Sequence, residues 1–182
     1  MLVSADRVRI GASPAVRAYR QGNSARHDDA ESCAWWRAGA AGATVLNAVT
    51  YADMAWRGRP ASEAPAQAVD EIAKGTGHPI PGAGSSRDNR LSGLGALSGI
   101  AVGCATGAAV SLLRRSGLRM PWWLGGVVTG ALAMAATDLP MARLGVSEPA
   151  DWSAKDWASD VVPHLLYGFA TYGIVEAAER RS

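Results

Sequence analysis

The chain has 182 residues, close to the length of one domain, and its 18 basic and 16 acidic residues leave a net charge of +2. That balance gives no broad positive field, so nucleic acid is excluded as an expected partner. The mean hydropathy of +0.01 averages strongly apolar stretches with polar ones and hides what each is. Cys33 and Cys104 are the only cysteines, so there is no metal-type cysteine spacing, and a disulfide between them is not expected.

Residues 1–33 carry Arg7, Arg9, Arg17, Arg20 and Arg26 among Ser, Gly, Asn and Asp. They hold no continuous apolar core of a secretory signal and read as a weakly ordered or disordered tail. A first membrane span is predicted at about 35–56, flanked by Trp35, Trp36 and Arg37 on one side and by Trp56 and Arg57 on the other. Within it Gly39, Ala43, Asn47 and Tyr51 recur every four residues. Small residues so spaced let a second helix approach, and Asn47 offers a hydrogen bond across the contact.

Residues 57–90 read as a polar loop holding one short helix, from Ser62 towards Lys74, which the Gly- and Pro-rich run at 75–86 then breaks. His78, beside Pro79, reads as a solvated loop residue. Ser85, Ser86 and Asp88 offer N-cap chemistry for the next helix.

The stretch 91–113, LSGLGALSGIAVGCATGAAVSLL, has no charge for 23 residues and ends at Arg114 and Arg115. As a helix it is about 34 Å long, enough to cross a hydrocarbon core of about 30 Å. A soluble core helix needs a polar face, and this one offers only Ser, Thr and Gly. Gly95, Gly99 and Gly103, four apart, are expected to face another helix closely, as are Gly168 and Gly173 further on.

A third span is predicted at about 121–139, opened by Pro121 in the first turn and closed near Asp138 and Pro140. Trp152 and Trp157 flank a short surface helix expected to start at Ser153. A fourth span follows at about 158–178, and 179–182 is a short charged tail. The expected fold is therefore all-α: a polytopic membrane protein of four transmembrane helices forming one domain at 34–178.

Topology follows from the basic residues. The short loop with Arg114, Arg115 and Arg119 is best placed in the cytoplasm, which puts both termini there and collects 11 of the 18 basic residues inside. The segment after span one (Asp53, Met54, Ala55, Trp56, Arg57, Gly58) resembles that after span three (Asp138, then Met141, Ala142, Arg143, Leu144, Gly145), allowing a short insertion. Leu97–Ala101 likewise aligns with Leu166–Ala170, which suggests two parallel helical-hairpin repeats.

Three runs, NAVTYADMAWRGRPAS (47–62), NRLSGLGALSGIA (89–101) and SDVVPHLLYG (159–168), resemble a family of uncharacterised four-helix integral membrane proteins of actinobacteria. The resemblance spans residues 36–178. It implies the four-helix topology, and it implies no activity, cofactor or catalytic residue.

Ionisable groups inside a bilayer cost about 3 kcal/mol or more unless paired or hydrated, so they mark candidate sites. Asp53, Asp138, Asp160 and His164 are expected near the outer side. Asp160 and His164 share a helix face, and so do Asp53 and Arg57. Such a cluster can relay protons or bind a cation. Each member also has a structural reading: Asp160 as an N-cap, Asp138 as a helix end, Asp53 with Arg57 as an interfacial ion pair. No nucleophile, metal or phosphate-loop motif is present, so no enzyme activity and no cofactor are expected. Two functions remain. One is a structural or accessory role through helix–helix partners in the lipid bilayer, either another membrane protein or a homo-oligomer. The other is a small proton- or ion-coupled transporter using the Asp/His cluster.

Overall fold

In a computed structural model the described residues are those from 13 to 180, with side chains described for residue 13 and from Trp36 onward. They form five α-helices and no strand: α1 (Pro14–Arg57), α2 (Ala64–Gly75), α3 (Gly84–Arg115), α4 (Trp122–Arg143) and α5 (Ala154–Glu179), with a 3-10 turn at Pro149–Asp151. The chain divides into two compact units, one to Cys33 and one from Ala34. The description below concerns the second.

The stretch expected as a tail lies partly outside the described residues, at 1–12, and partly in helix, since α1 starts at Pro14. Proline suits the first helical turn, and no glycine or proline beyond Gly22 interrupts the chain before Gly39. The polar composition that signals a tail is equally compatible with a helix.

Two helices, α3 and α4, are long and apolar enough to cross a membrane. Four were expected. Between Ala34 and Arg57, α1 carries Arg37, Asp53 and a terminal arginine among alanines and glycines, and α5 holds Asp156, Asp160 and His164 in its first half. Such composition is weakly apolar even where the helix is long.

Helix ends differ from the sequence reading in instructive ways. The α3 N-cap is Ala83, with no side-chain cap, and the helix has already begun at Gly84, ahead of the Ser and Asp expected to cap it. At α2 the N-cap position is Glu63, and Ser62 Oγ instead accepts the Ala64 N–H at 3.3 Å. Helix α4 runs through Pro140 to Arg143 rather than stopping before it. Proline removes one hydrogen bond there, but only in the last turn, where the helix has little left to lose. Ser153 does cap α5: its hydroxyl accepts the Asp156 N–H while the Asp156 carboxylate accepts the Ser153 N–H, a reciprocal capping box. The two bonds from Ser153 hold the Asp156 carboxyl below the usual carboxylate range. The short surface helix expected at Ser153 is thus the first turn of α5.

Packing is built on glycine. Gly126 and Gly130, one turn apart on α4, meet Gly168 on α5, where an added Cβ would strike Gly126 O and the Gly130 backbone. At Gly130 a Cβ would stand 2.6 Å from the His164 carbonyl oxygen. On α1, a Cβ at Gly39 would lie 2.6 Å from Gly103 O and 2.7 Å from Cys104 Cα of α3. Small residues at these points let the backbones touch, so dispersion accumulates over the whole contact. Tyr167 and Tyr172 fill what remains: both are fully buried, and Tyr167 Oη donates to Gly103 O at 2.6 Å.

Helix α2 lies along α3. Gly95 gives it room, since a Cβ there would stand 2.9 Å from Ala66 N. Arg87 on α3 pairs with Asp70, which Lys74 also approaches at 3.2 Å. Desolvation works against the Asp70 charge, but the bonds from Lys74 and Arg87 outweigh it and hold the carboxyl below its ordinary range. A carboxyl depressed by folding contributes stability above its unfolded value, near 3.8, and that contribution is lost as pH falls through the lower folded value. We therefore expect α2 amides to exchange faster with solvent as pH drops below about 3.8, after correction for intrinsic rates, and Asp70→Asn to show the fast exchange already at pH 7. Hydrogen exchange read by mass spectrometry checks both.

Candidate functional site: two polar clusters at one end of the helices

The four ionisable residues singled out from sequence have two sets of partners, Asp53 with arginines and Asp138, Asp160 and His164 with one another. Asp53, near the end of α1, is held by two guanidiniums: Arg57, one turn on, and Arg59, whose Nε lies 2.6 Å from Asp53 Oδ2. Arg57 reaches across to Ser159 Oγ on α5. Asp53 is thus part of an ion cluster joining α1 to α5.

The second cluster lies between α4 and α5. Asp160 and His164 stand one turn apart on α5, both inside the helix, so Asp160 is not an N-cap. His164 is buried; with its proton on Nδ1 it donates to the Asp160 carbonyl at 2.9 Å, and Asp160 Oδ1 lies 3.4 Å from the same nitrogen. That tautomer leaves Nε2 as an acceptor. Pro163, inside the helix, has no N–H, so it leaves the carbonyl four residues before it, that of Ser159, without its ladder donor.

Asp138, near the end of α4, is within electrostatic reach of Asp160 and of His164, and Thr137 Oγ1 is 3.3 Å from its Oδ1. Asp160 Oδ2 is buried and receives no hydrogen bond among the described residues. Two carboxyls side by side repel unless a proton, a cation or an imidazolium stands between them. Chemically, this is a place where a proton can be held and passed. Among the described residues no three His, Cys, Asp or Glu side chains are grouped as a metal site.

The packing residues also part company. Gly103 and Gly168 lie at close helix contacts, while Gly95 faces α2 instead of another long helix. Gly99 is exposed, and a Cβ at Gly99 or at Gly173 would meet nothing within 4 Å, so the expectation that these two face another helix closely is not met. Gly95 meets α2 and Gly103 meets α1 and Tyr167, and Gly99, one turn from each, falls between the two contacts. Asn47 is half-buried on α1, with no hydrogen bond from its side chain among the described residues. Accordingly, Gly99→Leu is expected to shift the detergent melting midpoint by no more than about 2 °C, the range of a surface substitution. A loss of 5 °C or more would place Gly99 in an interface.

Sequence reasoning missed a third cluster, at the other end of α3. Arg114 is buried. It forms a forked pair with Glu179 of α5, Nε–Oε1 at 3.1 Å and Nη2–Oε2 at 2.9 Å, while its guanidinium lies 4.5 Å from the Tyr172 ring centre. Tyr172 Oη in turn donates to Met120 O at 2.9 Å, fixing the loop between α3 and α4. From sequence Arg114 is one of three loop arginines, and nothing local distinguishes it. The Gly126–Gly130 pair was not singled out from sequence either, although two small residues four apart are a signal that could have found it.

No protein-family model, curated protein or solved structure matches this chain. The arrangement itself defines the class: an all-α protein with two helices of membrane-crossing length and glycine-mediated helix contacts.

Proposed function

We propose that the chain is a four-helix integral membrane protein of the kind its sequence motifs resemble, with both termini in the cytoplasm and a structural or accessory role through helix partners in the bilayer. One observation carries the reading. Leu94, Leu97, Ile100, Leu112, Leu113, Val127, Leu132 and Leu139 are all exposed along α3 and α4, while the helix contacts inside are made by glycine, threonine and tyrosine. In water such a surface is an aggregation hazard; in lipid it is solvated. The weakly apolar α1 and α5 then span beside α3 and α4 as the second member of each hairpin, α1 with α3 and α4 with α5. A glycine contact within each hairpin supports reading the two as repeats.

Extraction at alkaline pH in carbonate tests membrane integration: the chain is expected to stay in the pellet until detergent is added, and release by carbonate alone overturns the reading. For topology, a chain with Cys33 and Cys104 replaced by alanine accepts single cysteines at Ser85 and Ser116, both exposed. These positions are preferable to Gly82 and Gly117, whose φ angles of 105° and 98° disfavour a side chain. In intact cells Ser85→Cys is expected to react with an impermeant maleimide and Ser116→Cys only after permeabilisation. The opposite pattern inverts the topology.

A second reading is a proton- or ion-coupled transporter, and the grouping of Asp138, Asp160 and His164 favours it. Purified protein in proteoliposomes under a pH gradient would then dissipate it, and Asp160→Asn would abolish the flux. A tight vesicle with and without the protein leaves the accessory role.

A further inference from the structure

Between α1 and α5 runs an open groove of about 210 Å³. Its lining changes character along its length. On α1, Val49, Asp53 and Arg57 follow each other at one-turn spacing on one face, and on α5 Ser159 is followed by Val162 and Pro163. The helices are antiparallel, since Arg57 bonds Ser159 while Gly42, earlier on α1, faces Tyr167 and Thr171, later on α5. The ionic residues therefore lie together at one end, and Val49 with Val162 and Pro163 lies towards the other.

At the polar end, Arg57 and Arg59 both meet the single carboxylate of Asp53, which leaves one positive charge among the three. Arg57 and Arg59 each keep part of the side chain open, 20% and 26%. Trp56 and Trp157, both exposed, flank the same end, and amphipathic indoles settle at the headgroup level of a bilayer. A polar, net-cationic head region joined to an apolar trough matches an amphiphile whose charge is anionic and whose tail is a hydrocarbon chain.

We propose that this groove seats one anionic phospholipid, with its phosphate at Arg57 and Arg59 and an acyl chain along Val49 and Val162. The proposal rests on the membrane reading above. The phosphate gains charge-assisted hydrogen bonds from planar guanidiniums, and the chain replaces less ordered lipid contacts along the trough. A bound lipid also fills this seam between α1 and α5, so it belongs to the helix contact and not to the bulk bilayer.

The experiment is native mass spectrometry of the full chain, purified in detergent, stripped of lipid and titrated with phosphatidylglycerol. One tightly held lipid is expected on the wild type. Val162→Trp and Ala158→Trp fill the groove from exposed positions, so folding is not at stake, and each is expected to weaken that lipid about tenfold. Arg57→Gln with Arg59→Gln is expected to weaken phosphatidylglycerol by a similar factor. Glycerol phosphate, which has the anion and no chain, is expected not to bind in the same range. Equal lipid adducts in wild type and both tryptophan variants overturn the proposal, and so does glycerol phosphate binding as tightly as the lipid. A chain that stays in the carbonate-washed pellet yet fails these tests loses this proposal alone. A chain that carbonate releases loses the membrane reading and the lipid seat with it.

Discussion

Gly168→Ala is expected to destabilise the protein far more than a glycine-to-alanine change in a helix ordinarily does, and Gly168→Leu is expected to prevent α4 and α5 from docking. Alanine normally favours a helix over glycine by about 1 kcal/mol. Here the added Cβ would collide with Gly126 O and with the Gly130 backbone, and neither can rotate out of the way as a side chain can. Overpacking costs about 1–3 kcal/mol where side chains can shift, so backbone against backbone belongs at or beyond the top of that range. For a chain of this length 3 kcal/mol corresponds to a fall of about 6–12 °C in melting midpoint. The check is a thermal melt in detergent by circular dichroism, beside Gly173→Ala, whose Cβ would meet nothing within 4 Å. Equal midpoints for the two variants would mean that the α4–α5 contact is not as close as it stands here.

That contrast shows what sequence can and cannot place. Residues four apart mark a stripe, and on α4 the stripe Gly126–Gly130 is the contact. On α3 the same spacing yields Gly95 against α2, Gly99 against nothing and Gly103 against α1 and Tyr167. Which member is used depends on where neighbouring helices cross, a tertiary fact with no local signature. The polar residues divide in the same way. Arg57 is four residues from Asp53 and His164 four from Asp160, so both pairs were legible as helix neighbours. Arg59, which lies beyond the end of α1, and Ser159, 102 residues from Arg57, complete the Asp53 cluster through the fold alone. Helix ends were legible where the signal was chemical, as at the Ser153 capping box. They were misplaced where glycine and alanine carry the first turn, as at α3, or where proline sits so late that the helix absorbs it, as at Pro140.

Glu179→Gln should expose how much the fold depends on the ion pair at the far end of α3. Arg114 keeps only 6% of its side chain open, whereas Glu179 keeps 26%. Removing one partner of a fully buried pair costs about 3–5 kcal/mol, because the other charge is left without compensation. Partial exposure of Glu179 lets water replace it in part, which lowers the expectation to about 2–3 kcal/mol. The Tyr172 ring beneath the guanidinium retains some stabilisation, about 0.5–2 kcal/mol by itself. Replacing both members, as in Arg114→Met with Glu179→Leu, removes the two desolvation costs together and is expected to recover at least half of the loss. Thermal melts of the wild type, Arg114→Met, Glu179→Leu and the double variant form the cycle that isolates the coupling. If Glu179→Gln melts within about 2 °C of wild type, the carboxylate is solvated and Arg114 is held by Tyr172 alone. If the double variant is no better than the single one, the cost lies in packing around Met120 and Tyr172. The forked pair would then be a consequence of helix docking at this end and not one of its causes.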